Sequence, residues 1–568
     1  MKELLKLKYL LILIGYLAVI GIYYYFTLPI INFRNPGFYI FLAMILTLPG
    51  AIIWYFACKS KSENATGTYT TFKYDKRRGS FVKVQKDASE KYETNVLLLT
   101  GAIVPAIVTI LLVVVFSLTG LKIFNAKAYS NQLVIDAGSS EDLNTIFDYE
   151  KGEVLLPEID KDLAFRLAEA CLGDYGSQYT IDYENFTLIS VNRNNKTELI
   201  RVTPLEYATP FVAMSKSSEG TIGYIEVNVI TKEAKLVKFD DGLKYMPSGI
   251  FGYDLERYIR FNYPTVMYQH KYFEIDNDGN PYWVIPTNKK EIGVFDGSDP
   301  CGVIVLSPIT GESNYYELNA SNMPEWIQRV VDEKVVEAQA NNALTYKNGF
   351  FNTLFAKKEV FQLSDGYNYF IKDGHTYYVS CITSPNLNDQ TSTGFIIINL
   401  QTKQSIKYSS PGITEMRARE IAEGDERVKA QALDSTWPIL ITYHNEPTYF
   451  VVLKNSVQPQ KFVLINVSDG TLVAMGDTLD VAKQEYEKLL AGRGAIDQET
   501  TLTKTVTVTD VRDLTDKIEF MISGDDSKYY VVDVNVSLDA RFLSVGDTVT
   551  ITYKEISNYN LVISLEKE

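Results

Sequence analysis

Three apolar stretches without a single charge fill most of the first 120 residues, and no other feature constrains the fold as much. They are Tyr9–Phe26 (YLLILIGYLAVIGIYYYF), Gly37–Ala57 (GFYIFLAMILTLPGAIIWYFA) and Val96–Thr119 (VLLLTGAIVPAIVTILLVVVFSLT). A hydrocarbon core takes about 20 apolar residues of helix, so the expectation is three transmembrane spans, at 9–26, 37–57 and 96–119. Aromatic clusters mark span ends: Tyr23, Tyr24 and Tyr25 in the first, Trp54, Tyr55 and Phe56 in the second. The first stretch has no A-x-A-like cleavage site after it, which favours a retained helix over a signal peptide. Carriers and pumps usually need an ionisable residue at membrane depth. These spans hold none, and Pro49-Gly50 and Pro105 read as tolerated bends. The spans are expected to serve as an anchor in membrane lipid.

Orientation follows from Lys and Arg. Lys2, Lys6 and Lys8 precede the first span, whereas the loop after it carries only Arg34. The loop 59–94 holds Lys59, Lys61, Lys73, Lys76, Arg77, Arg78, Lys83, Lys86 and Lys91. The N-terminus and this basic loop are therefore expected in the cytoplasm, with everything after Thr119 outside. Residues 1–120 carry 13 basic and 6 acidic side chains, and residues 121–568 carry 42 and 64. An acidic outer region argues against a nucleic-acid partner there. The basic loop can meet anionic headgroups, although its simplest role is to fix topology.

The outer region repeats a hairpin pattern. Its four copies are Gly223–Phe239 (GYIEVNVITKEAKLVKF), Gly302–Leu318 (GVIVLSPITGESNYYEL), Gly394–Tyr408 (GFIIINLQTKQSIKY) and Lys461–Met475 (KFVLINVSDGTLVAM). Each is a β-rich run, a polar turn and a second run. Aromatic strands precede three of them: Pro281–Ile285, His375–Ile382 and Pro447–Leu453. Helices are expected at Lys161–Cys171, Asp254–Phe261, Pro324–Ala340, Glu415–Ala422 and Leu479–Leu490, the last two capped by Thr414 and Thr478. The class is α+β, in modules that lay a helix on an antiparallel sheet. The domain expectation is 1–120 as anchor, 121–320 and 321–500 as two α+β regions, and 501–568 as a small barrel. A homo-oligomer is left open.

The module pattern resembles PepSY and cystatin-like domains of bacterial envelope proteins. The runs TPLEY (Thr203–Tyr207), GYIEVNV (Gly223–Val229), KYMPSGIFGYDLERYIR (Lys244–Arg260), FEIDNDGNPYWV (Phe273–Val284), MPEWIQRV (Met323–Val330) and PTYFVVLK (Pro447–Lys454) resemble an uncharacterised family of Gram-positive bacterial three-span membrane proteins. That resemblance implies a membrane-tethered envelope protein and transfers no catalytic residue.

From Thr501 the runs TKTVTVTDV, KIEFMIS, KYYVVDVNV, DTVTITYKE and NLVISLE read as five short strands. Ser544–Tyr553 (SVGDTVTITY) resembles the strand entry of an OB-like barrel. OB folds that bind nucleic acid use basic grooves. From Lys504 onward this segment has 7 basic and 12 acidic residues, which favours a stabilising or protein-contacting barrel.

Little in the sequence points to catalysis. His270, His375 and His444 read as turn residues, and no HExxH or CxxC pattern accompanies them. Cys58 falls beside the second span, and Cys171, Cys301 and Cys381 read as isolated thiols. Asp276–Asn280 superficially resembles a calcium loop. Pro281 and Thr287 stand where an EF-hand needs Gly and Glu, so a hairpin turn is expected. No catalytic, cofactor or metal residue is assigned. The expected function is a non-enzymatic binding or scaffold protein of the cell envelope, with envelope proteins as partners. The alternatives are a PepSY-like regulator of a peptidase or sensor, and a cryptic hydrolase.

Overall fold

One structural unit recurs four times in the computed structural model: a helix, two short strands in line, a long central strand and a return strand. The structure describes residues 2–47, 68–75, 80–87, 103–139, 143, 146–149, 154–193, 196–385, 391–455, 458–492, 502–514, 517–534, 538–555 and 559–567. In the first module, helix Lys161–Leu172 precedes Tyr179–Ile181 and Thr187–Arg193. Both strands pair with Lys196–Tyr207, followed by Thr221–Asn228 and Ala234–Leu243. The second has helix Leu255–Asn262, short strands Met267–Tyr268 and Tyr272–Ile275, central strand Pro281–Ile292, then Asp296–Leu306 and Ser313–Glu317. The third has helix Glu333–Tyr346, short strands Gln362–Leu363 and Asn368–Lys372, central strand His375–Thr383, then Gly394–Asn399 and Ser405–Tyr408. In the fourth, helix Glu415–Gly424 precedes Asp434–Ser435, Ile439–Tyr443, Glu446–Lys454 and Pro459–Asn466. All of these pairings are antiparallel.

Local chemistry explains the recurrence. Asp160, Asp254, Asp332 and Thr414 cap the four helices, each accepting a bond from a first-turn amide. In the turns, the Asn228 and Asn399 side chains each accept from the amides two and three residues on. The amides of Lys232, Gly311 and Lys403 each return to the carbonyl four residues back, at 2.9 Å. The glycine that opens the hairpin in three copies also has a steric cause. A Cβ on Gly223, Gly302 or Gly394 would lie 1.8, 2.3 or 2.0 Å from a carbonyl oxygen of the neighbouring strand.

One expectation on the outer region needs correction. The helix expected over Pro324–Ala340 begins only at Glu333. Before it, the amides of Val330 and Val331 bond to Leu400 O (3.0 and 2.8 Å) and that of Gln328 bonds to the Glu274 carboxylate, so they are not free for a helical ladder. Ahead of the first module, the described residues between Lys122 and Ile159 form a strap across three modules. Helix Lys122–Ser130 leads to Ile135–Gly138, which runs parallel to Ser405–Tyr408 of the third module. Asp148 then bridges Thr442 of the fourth, and Glu158 N bonds to Val229 O of the first at 2.9 Å.

The apolar segments form helices Lys2–Thr27, Pro36–Thr47 and Ile103–Thr119. Among the described residues no single helix is long and apolar enough to cross a membrane. Val104–Thr119 and Lys122–Ser130, bent by 52°, meet the length and composition together. Pro49-Gly50, Cys58 and the rest of spans two and three lie outside the described residues. Within the basic loop, Thr68–Asp75 and Ser80–Asp87 pair as an antiparallel hairpin.

The chain divides into two compact units, Met1–Val473 and Ala474–Glu568. The second holds helix Leu479–Gly492, where Thr478 Oγ1 accepts from Val481 N, and a closed five-stranded barrel. Its strands are Leu502–Asp513, Lys517–Ile522, Asp525–Asp533, Thr548–Glu555 and Tyr559–Lys567. The third and fifth are parallel, and the first closes on the fourth. Val508, Phe520, Tyr530, Val549, Ile551 and Val562 fill the interior. The five strands expected from the sequence are all present.

The hairpin glycines yield a direct test. Gly223→Ala and Gly394→Ala should each destabilise the chain by about 1–3 kcal/mol, because backbone must shift to admit the methyl group. Gly424→Ala, with nothing within 4 Å of the added carbon, should stay within about 0.5 kcal/mol. Denaturant midpoints of the purified chain measure all three.

Candidate functional site

The segment Pro324–Glu333 joins the second module to the third, and its polar side chains converge where three modules meet. Ile327, Val330 and Val331 are fully buried on either side of Gln328 and Arg329, which are themselves 2% and 4% exposed. A buried polar side chain must find partners within the protein. Gln328 Nε2 donates to Ser190 O (2.6 Å) in the first module, and its Oε1 accepts from Thr376 Oγ1 (3.0 Å) in the third. Its backbone amide donates to Glu274 (3.0 Å) in the second. Arg329 donates to Leu188 O at 2.9 Å and lies 3.7 Å from the Glu274 carboxylate. Its guanidinium sits 5.4 Å from the ring centroids of both Tyr272 and Tyr369.

Charge extends outward from this node. Asp332, fully buried, caps helix Glu333–Tyr346 and bonds to His270 Nδ1 at 2.8 Å. That bond, against partial desolvation, raises the His270 pKa above its usual 6.5. Tyr369 donates to the Glu333 carboxylate, and burial raises the pKa values of Glu333 and Glu274. Arg201 is held down to about 10 by burial and then by Arg329. The first module's helix and the fourth module join through Lys454, which bridges Asp160 and, at 3.0 Å, Asp162.

Two further buried carboxylates serve packing. Glu206 is pushed up to about 7 by burial, although the Ser248 amide (2.9 Å) and hydroxyl donate to it. Glu415 accepts from Cys381 N and Ser364 Oγ, both at 2.7 Å. Cys381 Sγ lies 2.8 Å from Tyr449 Oη, and burial drives the thiol well above its ordinary value. A thiol held neutral in this way is a poor nucleophile. The cavity beside Glu415 and Tyr449 has a volume of about 10 Å³, room for one water and no substrate. A larger polar cleft of about 460 Å³ opens beside Lys334, Glu337, Asn341 and Gln362.

The residues singled out in the sequence are scattered. His375 opens its module's central strand just after the turn Asp373-Gly374. His444 lies in the equivalent turn of the fourth module, with φ 50°. Only His270 meets a carboxylate at the node. Cys171 and Cys301 are half-buried free thiols, and Cys381 is buried. Asp276–Asn280 is a hairpin turn: Asp276 Oδ1 accepts from the amides of Asp278 and Asn280, and its Oδ2 accepts from Asn280 Nδ2. Among the described residues no group of three His, Cys, Asp or Glu is placed to hold a metal. Gln328, Arg329 and Asp332 went unmarked in the sequence because helical spacing put Gln328 and Arg329 on an outer face.

The node is chemically a lock. Gln328, Arg329 and Asp332 spend their polar atoms on other modules and on the helix they lead into, and the groups His270 meets are the Asp332 carboxylate and, with ring centroids 6.2 Å apart, Tyr272. No protein-family model matches the chain, and no curated protein matches it. Two solved structures are similar over part of it. They are titled "Crystal structure of p204 HINb domain" (12% identity, 24% of this chain and 93% of that one, TM-score 0.10) and "Structural mimicry for functional antagonism" (12%, 24% and 88%, TM-score 0.11). At those scores neither carries an argument about fold or function.

Arg329→Met should cost about 3–5 kcal/mol, since it strands Glu274 as a buried, unpaired acid. Adding Glu274→Leu should recover part of that loss, a coupling that a double-mutant cycle on denaturant midpoints reads directly. Burial also sets a pH dependence. A carboxyl raised from 4.5 to about 7 favours the fold when neutral, so Glu206 contributes a loss of stability as pH rises from 4.5 through 7. Glu206→Gln should flatten that slope by on the order of 2–3 kcal/mol between pH 4.5 and 8. The His270–Asp332 bond adds stability below pH 6.5 that is lost as pH rises through the raised histidine value.

Proposed function

We propose that this chain is a membrane-anchored extracytoplasmic scaffold or binding protein of the bacterial cell envelope, without catalytic activity of its own. One observation supports it most strongly. The ends of the apolar helices that the Lys and Arg bias assigns to the outside are the ends bonded to the second module. Ile31 N bonds to Pro264 O (2.8 Å), Asn32 Nδ2 to Thr265 O (3.0 Å), and Arg34 to Lys290 O. At the end of the third helix, Thr119 Oγ1 accepts from Val294 N at 3.1 Å. In the sequence, the basic loop 59–94 falls between the other ends of the second and third apolar segments. Packing of these helix ends against the second module is what the charge-based orientation requires, and it supports the reading.

Burial of the polar node supports the non-enzymatic part of the reading, because groups engaged in joining modules are not available to a substrate. The fourfold helix-and-sheet repeat favours a second reading, a PepSY-like regulator that restrains an envelope peptidase or sensor. In both, the OB-like barrel of the second unit is a protein-contacting or stabilising element. Two or more modules offering similar surfaces suit a partner with repeated contacts.

Protease added to wall-stripped cells should digest the chain beyond Thr119 and spare 59–93. Protection of the large region would refute the localisation and the scaffold reading built on it. Substituting His270, His375, His444, Cys171, Cys301 and Cys381 singly should leave the cellular phenotype of the intact protein in place. Loss of that phenotype from one such change, at normal protein level, would favour the hydrolase alternative.

A further inference from the structure

Directly after the third apolar helix the chain makes a sharp turn. Gly120 and Leu121 separate helix Ile103–Thr119 from helix Lys122–Ser130, and the two axes are bent by 52°. The second helix buries Ala126 and Tyr129. Its other face does the reverse: Phe124 is 77% exposed, and Leu121 and Ile123 are exposed beside it. Lys122 Nζ sits 5.3 Å from the ring centroid of Tyr346, at the end of the third module's helix. From Tyr346 a row of rings continues outward. Tyr346 stacks on Phe350 (6.3 Å), Phe350 meets Phe351 edge-on (5.8 Å), and Phe351 stacks on Phe355 (6.4 Å). Phe351, Leu354 and Phe355 are 58, 56 and 79% exposed.

Two short helices from distant parts of the chain therefore present one apolar surface, and contiguous exposed apolar surface marks a binding face. Its surroundings are cationic: Lys122, Lys127, Lys347, Lys357 and Lys358 are all exposed. Lys347 is paired with Glu359 at 3.0 Å.

We propose that this surface is a membrane-surface platform, seated in the headgroup and upper acyl region of the bilayer that the apolar helices cross. The inference rests on the membrane reading above and goes beyond it, making part of the third module a lipid-binding element. Continuity selects lipid as the occupant. Helix Ile103–Thr119 covers about 25 Å at 1.5 Å per residue, so the hydrocarbon boundary falls near Thr119. Phe124 follows five residues later, beyond a bend that turns the helix away from the membrane normal. An amphipathic helix with aromatic residues on one side and lysines around them lies in such an interface, its rings below the headgroups and its cations among the phosphates. A protein partner would have to fit between this surface and the bilayer next to it.

The test uses the full chain in bilayer nanodiscs of phosphatidylethanolamine and phosphatidylglycerol. A diazirine-bearing phenylalanine analogue replaces Phe124, Phe355 or, as a reference for the span, Ile110. After photolysis, mass spectrometry identifies what each position has captured. Lipid adducts at all three positions are expected. Lipid adducts at Ile110, with only water adducts or protein cross-links at Phe124 and Phe355, would overturn the platform and leave the anchor standing. Water adducts at Ile110 would overturn the membrane reading and the platform with it. All three substituted side chains are exposed, so folding of the variants is preserved and near-ultraviolet circular dichroism verifies it.

Discussion

Taking Arg329 and Glu274 out of water costs several kcal/mol per ion, and only the convergence of three modules offsets that cost. Arg329 reaches Leu188 O in the first module and Glu274 in the second, while Gln328 reaches Ser190 and Thr376 in the first and third. Each module closes its own sheet without this segment. Their mutual arrangement depends on it, since moving any one of them leaves a buried charge or amide unpartnered. Hydrophobic contacts alone are non-directional. The polar node supplies direction and so fixes how the modules meet.

The strap acts with the node. Between Lys122 and Ile159 it adds a helix and a parallel strand to the third module, a bridge to the fourth and a backbone bond to the first. A chain leaving the apolar helices is thus bound to three modules before its own first module begins. The second module holds the outer ends of the apolar helices through Pro264, Thr265, Lys290 and Val294. All four modules are tied, through one route or the other, to the segment proposed as the membrane anchor. This arrangement suits a rigid display of repeated surfaces more than a set of beads on a tether.

Local physics was legible in the sequence, and the node was not. Helices capped by Thr414 and Thr478 and the paired runs around Thr231-Lys232 and Thr402-Lys403 obey rules written in a few adjacent residues. The five barrel strands do as well. The segment MPEWIQRVVDEK misled because Trp326, Ile327, Val330 and Val331 fall at helical spacing, although the amides of Val330 and Val331 bond to Leu400 of the third module and that of Gln328 to Glu274 of the second. Ile135–Gly138 and Asp148 were equally opaque: a strand's pairing partner about 270 residues away leaves no local trace. His270 read as a turn residue, and its importance comes from Asp332, 62 positions distant. Nothing in either neighbourhood announces the pair.

Amide hydrogen exchange on the intact protein, read at Gln328, Val330 and Val331, tests the central claim most directly. Their bonds to Glu274 and Leu400 exist only while the second and third modules are docked. These amides should therefore exchange as slowly as those of central strands Lys196–Tyr207, Pro281–Ile292 and His375–Thr383, and should open together with them. Exchange at these three sites orders of magnitude faster than in the strands would show a loose linker between independent modules, and the account of the node would be wrong.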